Sequence, residues 1–110
     1  MTGSADDGIW VRVCDPGVPA LNERAEVALP DGRLLLLLRT CRGLRACPAD
    51  CPHQDTPLFD VPVVDGVLTC PTHFWQWDLA TGEPLGLAEM PLPLFPIRED
   101  ANGVHVWMGA

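Results

Sequence analysis

The sequence predicts an all-β domain, an antiparallel β-sandwich or barrel base into which one loop-rich subdomain is inserted. Three observations carry that expectation. Twelve prolines and ten glycines among 110 residues leave few helix-length windows unbroken. The dipeptides Asp31-Gly32, Asp65-Gly66 and Asn102-Gly103 each stand between apolar runs, a strong short-range hairpin signal. Apolar content of 47% with 20% charged residues suits one globular core and argues against wholesale disorder. The length is that of a single domain spanning 1–110.

The elements follow in order. "GIWVRVCD" alternates apolar and polar residues, as a half-buried strand does. "AEVALPDGRLLLLLRT" reads as two strands around the Asp31-Gly32 turn. Its run Leu34 to Leu38 is far too short to span a bilayer and reads as a buried strand. The character then changes. Residues 46–85, rich in Pro, Cys, His and Trp, read as the insertion, and residues 1–45 and 86–110 as the base. Inside the insertion, "LFDVPVVDGVLTC" makes a second hairpin at Asp65-Gly66, and Trp75 and Trp77 alternate along a strand. "PLFPIREDANGVHVWM" closes the base with a hairpin at Asn102-Gly103. Trp10 and Trp107 fit the core of the terminal strands, and His105 fits a structural or surface role between Val104 and Val106. Cys14, Cys41 and Cys47 are expected as small packing residues.

Charge narrows the function classes. The formal net charge is −8, so nucleic acid, which needs a basic patch, is not an expected partner. The acids are concentrated: Asp50, Asp55, Asp60, Asp65, Asp78, Glu83 and Glu89 fall within residues 46–97, where no lysine or arginine occurs. The start "MTGSADDGIW" has no apolar signal region, and the expected location is the cytoplasm, as a monomer with no membrane partner. Five cysteines, an odd number, suit reduced thiols better than a disulfide framework.

Within the acidic segment stands the constellation that carries chemistry. "CPHQ" supplies Cys51 and His53, and sixteen residues later "CPTH" supplies Cys70 and His73. Four soft ligands from two loops can enclose a tetrahedral zinc or an iron–sulfur cluster. Zinc modules usually group two cysteines in one knuckle and two histidines in another. Here each loop supplies one of each, which suits a two-metal site with both thiolates on one iron and both imidazoles on the other. A structural zinc module remains the alternative.

These residues resemble the Rieske signature C-x-H…C-x-x-H, and "ATGEP" with the closing "LPLFPIREDANGVHVWM" is similar to small bacterial Rieske ferredoxins. The resemblance implies the Rieske-type fold and one 2Fe-2S cluster, with Cys51 and Cys70 on the inner iron and His53 and His73 on the outer, solvent-near one. It implies an electron carrier, itself no enzyme, between an NAD(P)H-dependent flavin reductase and an oxygenase. "CPTHFWQWD" looks most like the ferredoxins of toluene-type diiron monooxygenase systems, with the ferredoxins of Rieske non-haem iron ring dioxygenases as the alternative. The chain departs from the high-potential respiratory pattern, having no tyrosine and no loop cysteine for a disulfide, and Trp77 stands where that pattern has Tyr. Fewer donors to the cluster make reduction harder, so a low potential is expected. Pro52, Gln54, Trp75, Trp77 and Pro84 are the expected neighbours of the cluster, Pro71 a further loop stiffener, and His53, His73 and Trp75 the expected docking contacts. The small subunit of nitrite reductases shares this fold and typically lacks the four ligands.

Overall fold

The computed structural model describes residues 9–41, 43–50, 57–59, 61–70 and 74–108. These form ten strands and, among the described residues, no helix. Three antiparallel sheets result. The first has the order β1-β10-β9, from Ile9–Cys14, Gly103–Met108 and Ile97–Asp100. The second is β2-β3-β4, from Arg24–Ala28, Leu34–Thr40 and Gly43–Pro48. The third is β5-β6-β7-β8, from Val63–Val64, Val67–Cys70, Trp75–Asp78 and Pro84–Leu85.

The leucine run explains how these sheets stack. Leu35, Leu36, Leu37 and Leu38 are all buried, although successive residues of a strand point to opposite faces. Leu35 and Leu37 pack with Val104 and Val106 of β10, and Leu36 and Leu38 with Leu68, Cys70 and Trp77 of β6 and β7. The β2-β3-β4 sheet is therefore the middle layer, and β3 has no solvent face from Leu35 to Leu38. A strand covered on both sides reads as a continuous apolar run. β4, which has no apolar alternation in sequence, follows the same division, with Ala46 in one core and Cys47 in the other.

The turns show where local chemistry governs. Asp65 and Gly66 link Val64 to its partner Val67 with φ of +53° and +79°, the paired positive values of a type I′ turn. Asp31-Gly32 sits in a longer loop, closed by an N–H···O bond from Leu29 to Arg33. The third hairpin is offset by one residue. Gly103 pairs with Asp100, so the loop residues are Ala101 and Asn102, with the Asp100 carboxylate accepting from the Asn102 N–H at 2.8 Å.

Two tryptophan expectations need correction. Trp10 and Trp107 are cross-strand partners in a T-shaped contact 5.4 Å apart, yet they belong to neither buried core. Val104 and Val106 occupy the inner face of β10, so alternation turns His105 and Trp107 outward. Arg98 covers the exposed side of Trp10 at 4.5 Å. Cys41 is likewise no packing residue, because it lies exposed in the tight connection between β3 and β4; Cys47 is buried and Cys14 half-buried.

Candidate metal centre

Cys70 closes β6 and is fully buried. It is the one predicted ligand among the described residues; Cys51, His53 and His73, with Pro52, Gln54 and Pro71, lie outside them. The described residues hold no group of three or more His, Cys, Asp or Glu side chains able to hold a metal ion. The described segments on either side border the two stretches that carry the predicted ligands. Asp50 and Pro57 form an isolated antiparallel bridge, and Leu58 donates to the Ala49 carbonyl at 2.8 Å. These contacts close the neck of the stretch carrying Cys51 and His53. Cys70 pairs with Trp75 at the end of the β6–β7 ladder, closing the neck of the stretch carrying His73.

Both necks rest on one core. Leu58, just past the first, and Cys70, at the second, share the buried cluster of Leu36, Leu38, Cys47 and Trp77. Two necks resting on a common apolar floor, one of them at a buried thiol, suit a donor set drawn from the segments they border. Cys47 belongs to that floor. Burial pushes its thiol up to about 12, which keeps it protonated and disfavours it as a thiolate ligand.

The floor is tied down by side chains that donate to backbone carbonyls. Trp77, with no exposed surface, donates its indole N–H to the Met90 carbonyl at 2.9 Å and meets Trp75 edge-on at 6.1 Å. Arg45 of β4 donates from Nε to the Leu79 carbonyl at 2.9 Å. Gly82 lets the proline-rich segment approach, since a Cβ there would stand 2.4 Å from the Leu92 carbonyl oxygen. Pro84 is exposed in β8, opposite Trp77.

The sequence reading passed over Phe74. It has φ of +58° and is 68% exposed, whereas its neighbour Trp75 is half-buried against the core. Phe59, beyond the first neck, is also exposed. Strand alternation was the available signal: with Trp75 and Trp77 turned inward, the residue before Trp75 faces out.

Comparison with known proteins gives a consistent picture. The family profile of the Rieske [2Fe-2S] domain matches residues 9–96. The chain is 36% identical over 92 residues to the methanesulfonate monooxygenase ferredoxin subunit of Methylosulfonomonas methylovora, covering 83% of this chain and 74% of that one. It is 34% identical over 73 residues to the ferredoxin component of the alkene monooxygenase system of Xanthobacter autotrophicus, covering 66% of this chain and 60% of the relative. Among solved structures, the ferredoxin of carbazole 1,9a-dioxygenase from Nocardioides aromaticivorans superposes with a TM-score of 0.73 at 22% identity, over 88% of this chain and 95% of that one. A Mycobacterium tuberculosis protein described as the small subunit of an NADH-dependent nitrite reductase reaches 0.78 at 21% identity, over 94% and 97%. Likeness at these identities speaks for the fold alone, and the fold is shared by chains of different description.

Proposed function

The chain belongs to the Rieske [2Fe-2S] domain family, and from that premise we propose that it is the ferredoxin component of a monooxygenase system, carrying single electrons from a flavin-containing reductase to the oxygenase. It holds one Rieske-type 2Fe-2S cluster, which when bound accepts one electron and gives it back. In this reading Cys51 and Cys70 hold the inner iron and His53 and His73 the outer one, with Pro52 and Gln54 beside them. The observation that supports it is the match of the family profile over residues 9–96, together with the two necks, Asp50–Pro57 and Cys70–Trp75, that border the segments carrying the Cys/His pairs and rest on one core.

The oxygenase class is supported by sequence more than by fold. Both curated relatives are named as ferredoxins of monooxygenase systems. The stretch "CPTHFW" favours a diiron monooxygenase as the acceptor. The alternative, a ring-hydroxylating dioxygenase, is supported by fold likeness alone. A low potential is supported by the placement of Trp77, whose only polar hydrogen is committed to the Met90 carbonyl and offers nothing to a cluster sulfur.

Docking is read at the segments that carry the Cys/His pairs. His53 and His73 stand at the outer iron in this reading, Phe74 and Phe59 supply exposed apolar surface, and Trp75 backs them from its half-buried position. Among the described residues Asp50, at the first neck, has no ion-pair partner, and neither do Asp65, Glu83 and Glu89 elsewhere in the same acidic segment. That field steers the carrier toward a basic patch on its partner. The described cysteines are all unpaired, which suits work in the reducing cytoplasm. No helix of the described residues is long and apolar enough to cross a membrane.

The test begins with anaerobically purified protein. It should be red-brown, EPR-silent when oxidised and EPR-active after uptake of one electron, with a midpoint near the low end of roughly −150 to +300 mV. His73→Ala should abolish that signal, and electron transfer to the oxygenase should slow as salt is added. A colourless protein holding one zinc per chain would sink the assignment.

A further inference from the structure

Arg24 lies on β2 of the middle layer, opposite Leu38. Its Nη1 donates to three backbone carbonyls at once: Leu58 at 3.2 Å, Phe59 at 2.7 Å and Val61 at 2.7 Å. Those carbonyls belong to the chain leaving the first neck, where Leu58 is also held by the Ala49 carbonyl. The segment 46–97 contains no lysine or arginine, so the positive charge at this point is supplied from outside it. Two of the residues whose carbonyls it takes, Leu58 and Val61, belong to the buried cluster that holds Cys47 and Cys70.

Resting on the proposed function, we propose that Arg24 is a positioning residue for the 2Fe-2S centre: it fixes the exit of the loop carrying Cys51 and His53, and its charge favours the reduced state. The two parts follow from one geometry. Three convergent carbonyls fix Leu58, Phe59 and Val61 about one donor, and a charged donor makes such bonds stronger than a neutral one. Strong bonds at the exit limit the freedom of the loop upstream. A fixed cation on the same core lowers the free energy of an added electron, so its loss makes reduction harder.

The experiment uses the full chain loaded with its cluster, comparing wild type with Arg24→Gln and Arg24→Lys. Arg24→Gln should shift the reduced-to-oxidised ratio at a fixed potential by about tenfold toward the oxidised form. A tenfold shift corresponds to about 59 mV for one electron. Cluster release to a chelator should quicken in the same variant. Arg24→Lys, which keeps the charge and can donate three hydrogens, should stay near the wild-type midpoint. A purely structural arginine would lower the melting temperature and leave the midpoint alone; a wild-type midpoint in Arg24→Gln therefore overturns the proposal. Should Arg24→Gln retain no cluster, its apo form decides. A circular dichroism spectrum and melting temperature matching wild-type apo-protein support positioning of the loop, and a chain unfolded throughout overturns it. Absence of a 2Fe-2S signal in the wild type would instead defeat the proposed function, before any variant is compared.

Discussion

The two faces of β3 carry the same side chain and meet different neighbours. Leu35 and Leu37 face a core closed mainly by regular strands, with Val104 and Val106 of β10 at its centre and Val11 and Ile97 at its margin. Leu36 and Leu38 face a core closed partly by loops, through Leu58, Val61, Leu79 and Leu92, and lined by two cysteines and Trp77. A ladder fixes its residues by repeated backbone pairing. A loop has no such pairing, and here the loops are held by Arg24, Arg45 and Trp77 donating to their carbonyls. Apolar burial supplies the driving force on both sides, and directional bonds supply the placement on the side that buries Cys70.

Paired substitutions test that division. Leu36→Ala and Leu37→Ala should each cost about 2–5 kcal/mol in urea unfolding, as buried leucines truncated in a packed core do. Only Leu36→Ala should also speed the loss of cluster absorbance under conditions where the protein stays folded. Equal cluster loss from both variants would show that the two cores act as one. A smaller effect separates the tryptophan pairs. Trp77→Phe leaves the Met90 carbonyl without its donor and should cost about 1 kcal/mol, whereas Trp107→Phe, on the outer face, should stay within about 0.5 kcal/mol. Urea midpoints of the two variants decide, and equal losses would remove the distinction.

The smallest effect concerns the thiols of the two cores. Timed alkylation with mass spectrometry should label exposed Cys41 first, half-buried Cys14 more slowly and Cys47 not at all. Burial raises both core thiols, Cys14 with added repulsion from Asp15 and partial relief from Arg12, and Cys47 to about 12. The folded form thus keeps a proton on Cys47 that the unfolded chain gives up near pH 8.5. Its contribution to stability is whole below about pH 8.5 and is lost as pH rises toward about 12. Alkylation of Cys47 at the rate of Cys14 would contradict that burial.

Legibility in the sequence followed the range of the interaction involved. Asp65-Gly66 announced its turn because two residues in the left-handed region are a local demand. The leucine run announced a buried strand, though its role as a shared wall between two cores needed the tertiary arrangement. β4 went unread because its Gly, Arg, Cys and Pro show no alternation; its place comes from six partners along β3. β8, two residues long, had no room to show a pattern. Trp10 and Trp107 were misplaced because size suggested burial, while the parity of Val104 and Val106 dictates the outer face. The Cys/His pairs were legible as candidate ligands because metal coordination demands particular atoms at close spacing, and three of those four residues lie outside the described ones. Arg24 was not, since one arginine in a strand looks like any other until the carbonyls it serves are brought to it.

The strand that faces both cores also poses a hazard before either core exists. Five consecutive uncharged leucines form a sticky segment on a newly made chain, with the composition that lets unfolded molecules aggregate through cross-strand pairing. The run is bracketed by Arg33 and Arg39, and both are tied up once the chain has folded, Arg33 with Asp31 and over the Phe95 ring, Arg39 with Glu99. In the unfolded chain the same two charges flank the segment as gatekeepers and oppose its stacking with copies of itself. The two arginines therefore guard solubility during synthesis and staple the layers together afterwards.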